Sequence, residues 1–329
     1  MVFFLFALAA AITVFAAIKL STYADVISEK TALGGMLIGT ILLAGATSLP
    51  EVTTSITAVV IGSPDLAVGN VLGSNMFNLL IIASFDLYFR KQQIFTHAAK
   101  ENYYTAGIGL ILALTTVMAL LVRTEYTFLG IGLDTFTLLF IYTSGMLILT
   151  LMSKRNPSLP ANEPGHDYHH TAAISLKRAT YGFIIASIII LGSGTLLTFT
   201  GDEIAIITGL GATFVGSFLI ALSTSLPEAV AVLVACQLRN YNLAIGSILG
   251  SNLFNFLILA GTDAIYQQGS LLSISSDLHI ITASAVTILS IIMVYSLLRK
   301  KARSPLAYAF PSTILIIVYF ISTYLIYSY

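Results

Sequence analysis

Two stretches of this chain repeat one another at a fixed offset of 177 residues. Residues 47–78 read TSLPEVTTSITAVVIGSPDLAVGNVLGSNMFN, and residues 224–255 read TSLPEAVAVLVACQLRNYNLAIGSILGSNLFN, with 15 of the 32 positions identical without gaps. Unrelated apolar helices share Leu, Ala and Gly by chance, but a shared TSLPE and a shared GSNxFN in one register indicate descent from a single unit. The fold is therefore expected to contain two copies of one structural unit.

The composition places these repeats in a membrane protein. Of the 329 residues, 57% are hydrophobic and 9% are charged, whereas soluble domains carry about 25% charged residues. The N-terminal run is apolar from residue 2 and has no basic segment before it, which predicts a retained span and no cleaved signal peptide. At roughly 20 residues for each crossing, the length accommodates about ten spans. The apolar runs lie at 2–20, 33–61, 66–89, 103–122, 128–153, 179–200, 206–237, 243–262, 278–298 and 306–327.

The repeats divide the chain into two halves of five predicted spans each. The first half covers residues 1–153 with its motif at 44–78, and the second covers residues 179–329 with its motif at 221–255. Segment 154–178, rich in Pro, His and charge, is predicted to be an exposed linker. Because five is an odd number, the second copy enters the membrane in the opposite orientation, as is typical of secondary transporters. We therefore expect an all-α integral membrane protein with ten transmembrane helices, arranged as two inverted five-helix repeats with broken helices at the midplane.

The basic residues predict how the chain is oriented in the membrane. The odd-numbered connections between the predicted spans hold 14 of the 15 lysines and arginines, and Arg123 alone lies in an even-numbered one. By the positive-inside rule, the odd-numbered connections, including the linker, are cytoplasmic. Both termini are then expected outside a cell membrane that the chain crosses many times.

Each repeat carries one acidic residue within an otherwise apolar span, Glu51 in the first and Glu228 in the second. A carboxylate at membrane depth costs several kcal/mol unless it is paired or faces a polar cavity, so a functional site is the leading interpretation. The alternative is a protonated carboxyl group that only bonds a neighbouring helix. The residue before each glutamate is a proline, which frees a carbonyl oxygen one turn earlier and opens its helix. Free carbonyls in a bilayer persist where they line a cavity or meet an ion.

Further oxygen donors stand at fixed positions around each glutamate. Hydroxyl residues precede the glutamates by four and three positions and share their helix faces: Thr47, Ser48, Thr224 and Ser225. The GSNxFN helices add pairs that are four residues apart: Ser74 with Asn78, and Ser251 with Asn255. Asn75 and Asn252, one step round from that face, are equally well explained by support of the site or by helix–helix contact. Donors that are all oxygen suit a hard cation, and their number suits the roughly six to eight ligands of calcium.

Other features of the spans predict packing. Glycines four residues apart let helices approach closely, and two such pairs occur: Gly69 with Gly73, and Gly246 with Gly250. Asp86 and Asp263 lie near the ends of the third and eighth spans, where an interfacial or helix-paired position is expected.

The paired motifs resemble the α-repeats of the calcium/cation antiporter superfamily. TSLPE followed by GSNxFN in two inverted copies is most similar to the sodium/calcium exchanger branch, especially its compact prokaryotic members, and the ten-span layout extends the likeness to nearly the whole chain. The resemblance implies that spans 2, 3, 7 and 8 form the ion-binding core. It also implies that spans 1 and 6 slide past this core to alternate access.

The resemblance also implies a ligand set in this chain. Glu51 and Glu228 would be central ligands shared by calcium and sodium. A second group would coordinate sodium or orient the carboxylates: Thr47, Ser48, Thr224 and Ser225, with the carbonyl oxygens of Ala44 and Ala221. The shell would be completed by Ser74, Asn78, Ser251 and Asn255.

Two departures from the family pattern bear on the mechanism. Ala46 and Ser223 stand where a glycine usually precedes the Thr-Ser pair, which changes the expected bend of each broken helix. Asn255 stands where potassium-dependent and some archaeal members have an aspartate. The site therefore has one acidic residue fewer, which argues against potassium co-transport.

The leading hypothesis is a sodium/calcium antiporter that works by alternating access. A proton/calcium antiporter of the same fold is the alternative, although that branch generally has Gly-Asn ahead of the glutamate in place of Thr-Ser-Leu-Pro. A calcium channel ranks third, because discontinuous helices from inverted repeats favour alternating access over an open pore.

Several classes of protein receive no support from the sequence. It contains no P-loop or nucleotide fingerprint and no Ser-His-Asp set in the membrane, so we expect no enzyme, no nucleotide and no ATP-driven transport. The balance of 15 basic and 15 acidic residues gives no indication of a nucleic-acid partner, and the single Cys236 excludes a disulfide framework. The expected partners are the lipid bilayer and small inorganic cations. We expect no cofactor besides the transported Ca²⁺ and Na⁺, and a monomer is compatible with the sequence.

Overall fold

The apolar runs fold into helices, because backbone N–H and C=O groups inside a bilayer have no water to bond and must pair within the segment. The computed structural model of the chain describes residues 1–30, 45–155, 174–299 and 304–329. The main helices within these residues are α1 Val2–Lys30, α2 Leu49–Val60, α3 Pro64–Tyr88, α4 Lys100–Val122, α5 Leu133–Arg155, α6 Leu176–Thr208, α7 Ala212–Gln237, α8 Tyr241–Tyr266, α9 Leu278–Leu298 and α10 Pro305–Ser328.

Short elements join some of these helices. A 3₁₀ turn, Ile94–His97, lies between α3 and α4. A two-stranded antiparallel hairpin follows α4, with strands β1 Thr127–Phe128 and β2 Ile131–Gly132. One further helical turn, Leu271–Ile274, precedes α9.

The described residues contain nine helices long and apolar enough to cross a membrane. The remaining predicted span, 33–61, is represented by α2, an apolar helix of 12 residues. Residues 31–44, which include the predicted ligand Ala44, lie outside the described residues, as do residues 156–173 of the predicted linker. The all-helical membrane architecture is thus confirmed, while the count of ten spans stays a prediction.

Two helix ends differ from the predicted spans. Helix α1 continues to Lys30, ten residues beyond the expected end at residue 20. Helix α6 runs through the expected break at 201–205 and ends at Gly209, which has the left-handed conformation (φ 70°) that commonly terminates helices. The predicted spans 179–200 and 206–237 leave out these residues because they include Asp202 and Glu203, but a charged residue does not interrupt a helix. Asp202 instead accepts a hydrogen bond from Ser63 Oγ at 2.7 Å.

The two GSNxFN helices, α3 and α8, lie at the centre of the molecule. Most residues of both are buried, whereas long stretches of α4, α5, α6 and α10 expose apolar side chains to the surroundings. Helices α1 and α6 pack along one another, and Thr13 Oγ1 of α1 donates to Ser193 Oγ of α6 at 2.7 Å. This arrangement puts the repeated motifs in the interior, with a helix pair on one side of them.

Helices α3 and α7 approach each other through glycine. A Cβ atom added at Gly73 would lie 2.2 Å from the backbone oxygen of Ser217, and one added at Gly69 would lie 3.0 Å from the Ser217 nitrogen. Real Cβ atoms do not approach so closely, so a larger residue at Gly73 would force the helices apart. The packing role predicted for this pair of glycines is confirmed. For the second pair it is wrong at Gly250, where an added Cβ would meet no atom of the described residues within 4 Å.

We expected both motif helices to break at the proline before the glutamate. In the first repeat, a turn at Ser48 interrupts the helix two residues before Pro50. In the second repeat the prediction was wrong, because α7 continues through Pro227 and its irregular part is the π-helical turn Val215–Ile220. That turn lies where α7 presses on α3: a Cβ added at Gly216 would be 2.6 Å from a backbone oxygen of α3.

Two buried aspartates occupy equivalent positions of the repeat, since 86 plus 177 is 263. Asp86 of α3 accepts hydrogen bonds from two residues of α10, the Tyr308 hydroxyl and Ser312 Oγ (2.6 Å). Asp263 of α8 accepts from two backbone nitrogens, Gly132 N at 2.9 Å and Leu271 N at 2.6 Å. Each central helix is thereby tied at its C-terminal end to an outer element, and the helix-paired alternative holds for Asp86.

We expect Asp86→Ala to lower the free energy of unfolding by about 1–3 kcal/mol, because the hydroxyls of Tyr308 and Ser312 lose their shared acceptor in the interior. Thermal unfolding of the purified protein in detergent measures this. Asp277→Ala is the matched control, since Asp277 is exposed and its ion pair with Arg123 is at the surface, where such pairs contribute about 0–1 kcal/mol. Equal losses in the two variants would contradict the assigned role of Asp86.

Candidate ion-binding site

The predicted site residues of the two repeats meet where α2, α3, α7 and α8 pack together. Ser225 Oγ of α7 donates to Glu51 Oε1 of α2 at 3.3 Å. Ser74 Oγ of α3 lies 3.4 Å from Thr224 Oγ1 of α7. Residues 150 and more positions apart in the chain are therefore brought into one buried cluster.

The two glutamates are the centre of this cluster. Glu51 is 1% exposed and Glu228 is 4% exposed, and they are close enough to repel each other electrostatically. Glu228 Oε1 accepts from Ser251 Oγ at 3.4 Å, while the second oxygen of each carboxylate has no hydrogen-bond partner among the described residues. Neither glutamate forms an ion pair within this part of the chain. Two buried carboxylates without a counter-charge are costly, and a cation between them removes that cost.

The hydroxyl residues surround the carboxylates unevenly. Ser48 is fully buried, and its Oγ has no hydrogen-bond partner among the described residues. Its equivalent, Ser225, is bonded to Glu51. Thr224 Oγ1 donates weakly to the carbonyl oxygen of Ala221 at 3.4 Å. The Ala221 carbonyl, a predicted ligand, therefore already accepts one hydrogen bond. Thr47 is half-buried.

The amide residues are also buried and are paired across the repeats. Asn78 Nδ2 donates to Asn252 Oδ1 at 2.9 Å, and Asn255 Nδ2 donates to Asn75 Oδ1 at 2.9 Å. The oxygens of Asn78 and Asn255, the two predicted ligands, have no partner among the residues described.

Unpartnered buried oxygens concentrate in this cluster. Native proteins pair nearly all their buried polar atoms, so each exception asks for an explanation. Five of the ten exceptions in the described residues belong to predicted ligands: Ser48 Oγ, Glu51 Oε2, Asn78 Oδ1, Glu228 Oε2 and Asn255 Oδ1. An arrangement of oxygens with two negative charges is suited to hold a hard cation such as calcium or sodium.

Asn70 is a residue of the site that the sequence reasoning missed. It is 1% exposed, and its Nδ2 donates to two hydroxyls of α2, Thr54 Oγ1 at 2.7 Å and Ser55 Oγ at 2.9 Å. Its Oδ1 accepts from Thr224 Oγ1 at 3.4 Å. Asn70 therefore fixes α2 against α3 and orients a hydroxyl of the site. Its repeat equivalent is Ser247, so a search for identical positions passes over it; the signal available was a buried amide in an apolar run.

A family model described as sodium/calcium exchanger protein matches residues 1–152 and 178–328. The chain belongs to the sodium/calcium exchanger family. The predicted resemblance is confirmed, and the protein is a multi-pass transmembrane antiporter. The matched segments correspond to the two predicted halves and leave out most of the predicted linker.

Two sequence relatives match most of the chain. CaxA of Alkalimonas amylolytica, named as a candidate antiporter, is 27% identical over 286 residues, which is 85% of this chain and 86% of CaxA. The inner membrane protein YrbG of Escherichia coli K12 is 24% identical over 267 residues, or 79% of this chain and 78% of YrbG.

Solved exchangers share the fold of this antiporter. The H⁺/Ca²⁺ exchanger CAX has a TM-score of 0.75 at 12% identity, covering 99% of this chain and 85% of its own. The sodium-calcium exchanger NCX_Mj has a TM-score of 0.59 at 17% identity, covering 98% of this chain and 97% of its own. At such low identities the likeness concerns the fold and carries no conclusion about the coupled ion.

Calcium is expected to stabilise the purified antiporter, by about 2.7 kcal/mol at one hundred times its Kd. Glu51→Gln and Glu228→Gln should each lose most of this stabilisation, because either change removes a charge and keeps the shape. Thermal unfolding with and without calcium, against an equal concentration of magnesium, measures the effect. Glu203→Gln, on an exposed glutamate of α6, is the control. Full calcium stabilisation of either site variant would exclude that glutamate as a ligand.

Proposed function

We propose that this antiporter exchanges calcium for sodium by alternating access, with its ions bound between the two repeats. The observation that carries the proposal is the group of five unpartnered buried oxygens around two carboxylates that lack a counter-charge in the described residues. The proposed ligands are Glu51, Glu228, Thr47, Ser48, Ser74, Asn78, Thr224, Ser225, Ser251 and Asn255, with the carbonyl oxygens of Ala44 and Ala221.

The charges of the site support calcium as one of the ions. One divalent ion balances the two carboxylates, and oxygen donors at flexible geometry suit calcium better than magnesium, which demands a strict octahedron. The family resemblance implies three sodium ions against one calcium ion. Exchange would then move one net positive charge in each cycle, and the membrane potential would contribute roughly 2.3 kcal/mol per 100 mV.

The hydroxyls favour sodium over protons as the coupled ion. Sodium needs several neutral oxygens besides a carboxylate, and each repeat supplies a Thr-Ser pair next to its glutamate. Proton exchange requires only the two carboxylates and does not explain why four hydroxyls lie beside them. A proton/calcium antiporter of the same fold remains the rival, because each carboxylate has one unpartnered oxygen that could accept a proton.

The packing of the α1–α6 pair supports the sliding motion that the resemblance implies. The hydrogen bonds between α6 and α2 are long, such as Thr198 Oγ1 to the Thr54 carbonyl oxygen and Thr57 Oγ1 to Thr195 Oγ1, both at 3.4 Å, and they lie beside a close contact of Gly194 with the Thr53 side chain. Weak contacts of this kind can be exchanged for others one turn away at little cost. The pair is therefore suited to move against α2 while α3 and α7 stay locked by their close backbone contact.

The proposal includes the arrangement of the whole chain. Two inverted halves, residues 1–153 and 179–329, would lie on either side of a cytoplasmic linker at 154–178. Both termini would face the outside of the cell membrane, as the distribution of basic residues indicates. The site is built from both halves of one chain, so a monomer is sufficient for transport, and no cofactor is required besides the transported ions.

Sodium coupling is tested with the purified protein in liposomes. Vesicles loaded with sodium and diluted into sodium-free buffer at matched pH are expected to take up calcium. Uptake should accelerate when valinomycin and external potassium make the interior positive, because departing sodium carries the excess charge outward. Vesicles loaded with choline in place of sodium, and vesicles containing the Glu51→Gln variant, are the negative controls and should take up no calcium. Uptake that follows an imposed pH gradient and ignores sodium would establish the proton-coupled rival.

The orientation is tested by cysteine labelling in a Cys236→Ala background. Cysteines placed at positions 1 and 329 are expected to react with an impermeant thiol reagent added to intact cells, because both termini are proposed to lie outside. A cysteine at position 160 should react only after the cells are opened. Labelling at position 160 in intact cells would refute the proposed orientation.

A further inference from the structure

Four buried asparagines exchange hydrogen bonds between the central helices α3 and α8. Asn78 donates to Asn252, and Asn255 donates to Asn75, both at 2.9 Å. The repeat offset of 177 maps Asn75 onto Asn252 and Asn78 onto Asn255. The bond from Asn78 to Asn252 and the bond from Asn255 to Asn75 are therefore equivalent in the two repeats. All four side chains are at most 7% exposed.

These bonds hold the donor end of each ligand amide against the opposing helix, most firmly at Asn78, because its partner Asn252 is itself held by a bond to the Asn75 backbone oxygen. A side-chain amide has a donor end and an acceptor end, and the two are nearly equal in size. Because the nitrogens of Asn78 and Asn255 are held by the opposing helix, their oxygens are left without partners among the described residues. If Asn78 were flipped, its oxygen would face the oxygen of Asn252, and its N–H groups would point where a cation would bind.

We propose that Asn75 and Asn252 are positioning residues that hold the amide oxygens of Asn78 and Asn255 toward the transported cation. The proposal rests on the proposed function, in which Asn78 and Asn255 are ligands. Each positioning residue belongs to the repeat opposite to the ligand that it orients. One half of the molecule thus prepares part of the binding site of the other half.

The two positioning residues are not equivalent in detail. Asn252 Nδ2 also donates to the backbone oxygen of Asn75 at 3.3 Å, whereas Asn75 Nδ2 has no partner in the described part of the chain. Replacing Asn252 removes two hydrogen bonds between α3 and α8, and replacing Asn75 removes one side-chain bond. The loss of stability is therefore expected to be larger at position 252, while the effect on the cation is expected at both positions.

The experiment measures calcium uptake into sodium-loaded liposomes as a function of calcium concentration. Asn75→Leu and Asn252→Leu are expected to raise the KM for calcium by about 10–100-fold, the usual effect of losing a residue that orients a metal ligand. The maximal rate should change less than the KM. Asn102→Leu is the control, because Asn102 is fully buried and bonded to Asn242 at 2.9 Å away from the site.

Two conservative variants guard against a failure to fold. Asn75→Asp and Asn252→Asp keep an acceptor oxygen for the opposing amide nitrogen, so they are expected to retain a KM at or below that of the unmodified protein. A purely structural role for these residues would not separate Asp from Leu through the KM. Loss of thermal stability without a change in KM would overturn the proposal.

Double variants identify the pairing. With the ligand amide gone, its positioning residue has nothing left to orient, so Asn78→Ala with Asn252→Leu should have the KM of Asn78→Ala alone. The same is expected of Asn255→Ala with Asn75→Leu. The mismatched double variant Asn78→Ala with Asn75→Leu should show the two effects multiplied. Multiplied effects in the matched pairs would refute the proposal.

The outcomes separate this inference from the proposed function. If the unmodified protein takes up no calcium under either a sodium or a proton gradient, both are refuted. If the unmodified protein transports calcium and Asn78→Ala raises the KM, but the Leu variants at 75 and 252 do not, the ligand assignment stands and the positioning role falls.

Discussion

The main physical constraint on this fold is the burial of two carboxylates close together, without a counter-charge in the described residues. Glu51 and Glu228 are nearly inaccessible, and each has one oxygen without a hydrogen-bond partner in that part of the chain. Burial of such charges is unfavourable by several kcal/mol, so favourable contacts elsewhere in the fold must offset this cost. The close packing of α3 against α7 at Gly73 and the buried hydrogen bonds of Asp86 and Asp263 are such contacts outside the site.

The contacts between helices fall into two kinds, and the difference matters for transport. Helix α3 approaches α7 backbone to backbone at Gly73, and short hydrogen bonds join it to α8 at Asn78 and to α10 at Asp86. The α1–α6 pair meets α2 through hydroxyl contacts at 3.4 Å and a close contact of Gly194 with the Thr53 side chain, with a shorter hydrogen bond between Ser63 and Asp202. Hydroxyl contacts can change partners, whereas two backbones in contact cannot move past each other without opening gaps. This difference in packing supports the proposal that the α1–α6 pair moves while α3 and α7 stay together.

The sequence was sufficient to predict the helices and the membrane class, because apolar runs indicate burial in a bilayer. The repeated motif also predicted that residues of both halves lie together around Glu51 and Glu228, while their role as ligands stays a proposal. Other features depend on contacts that no local pattern contains. In α7 the irregular part is a π turn at the close contact of Gly216 with α3, and the helix continues through Pro227. Asn70 was missed because its repeat equivalent is a serine. For Asn75 and Asn252 the sequence left open whether they support the site or join helices, because their position in the repeat identifies a helix face and not the partner of an amide. Helix α6 continues beyond its predicted end at residue 200, because Gly209 terminates it.

Equivalent residues of the two repeats do not make equivalent contacts, and this difference bears on alternating access. Ser225 donates to Glu51, but its counterpart Ser48 has no hydrogen-bond partner among the residues described. Ser251 donates to Glu228, while its counterpart Ser74 lies against Thr224. In the proposed mechanism, access to the site alternates as one repeat moves against the other. The asymmetric hydroxyl contacts around the equivalent carboxylates support this proposal, because exchanging these contacts between the halves would give a second arrangement of the same residues.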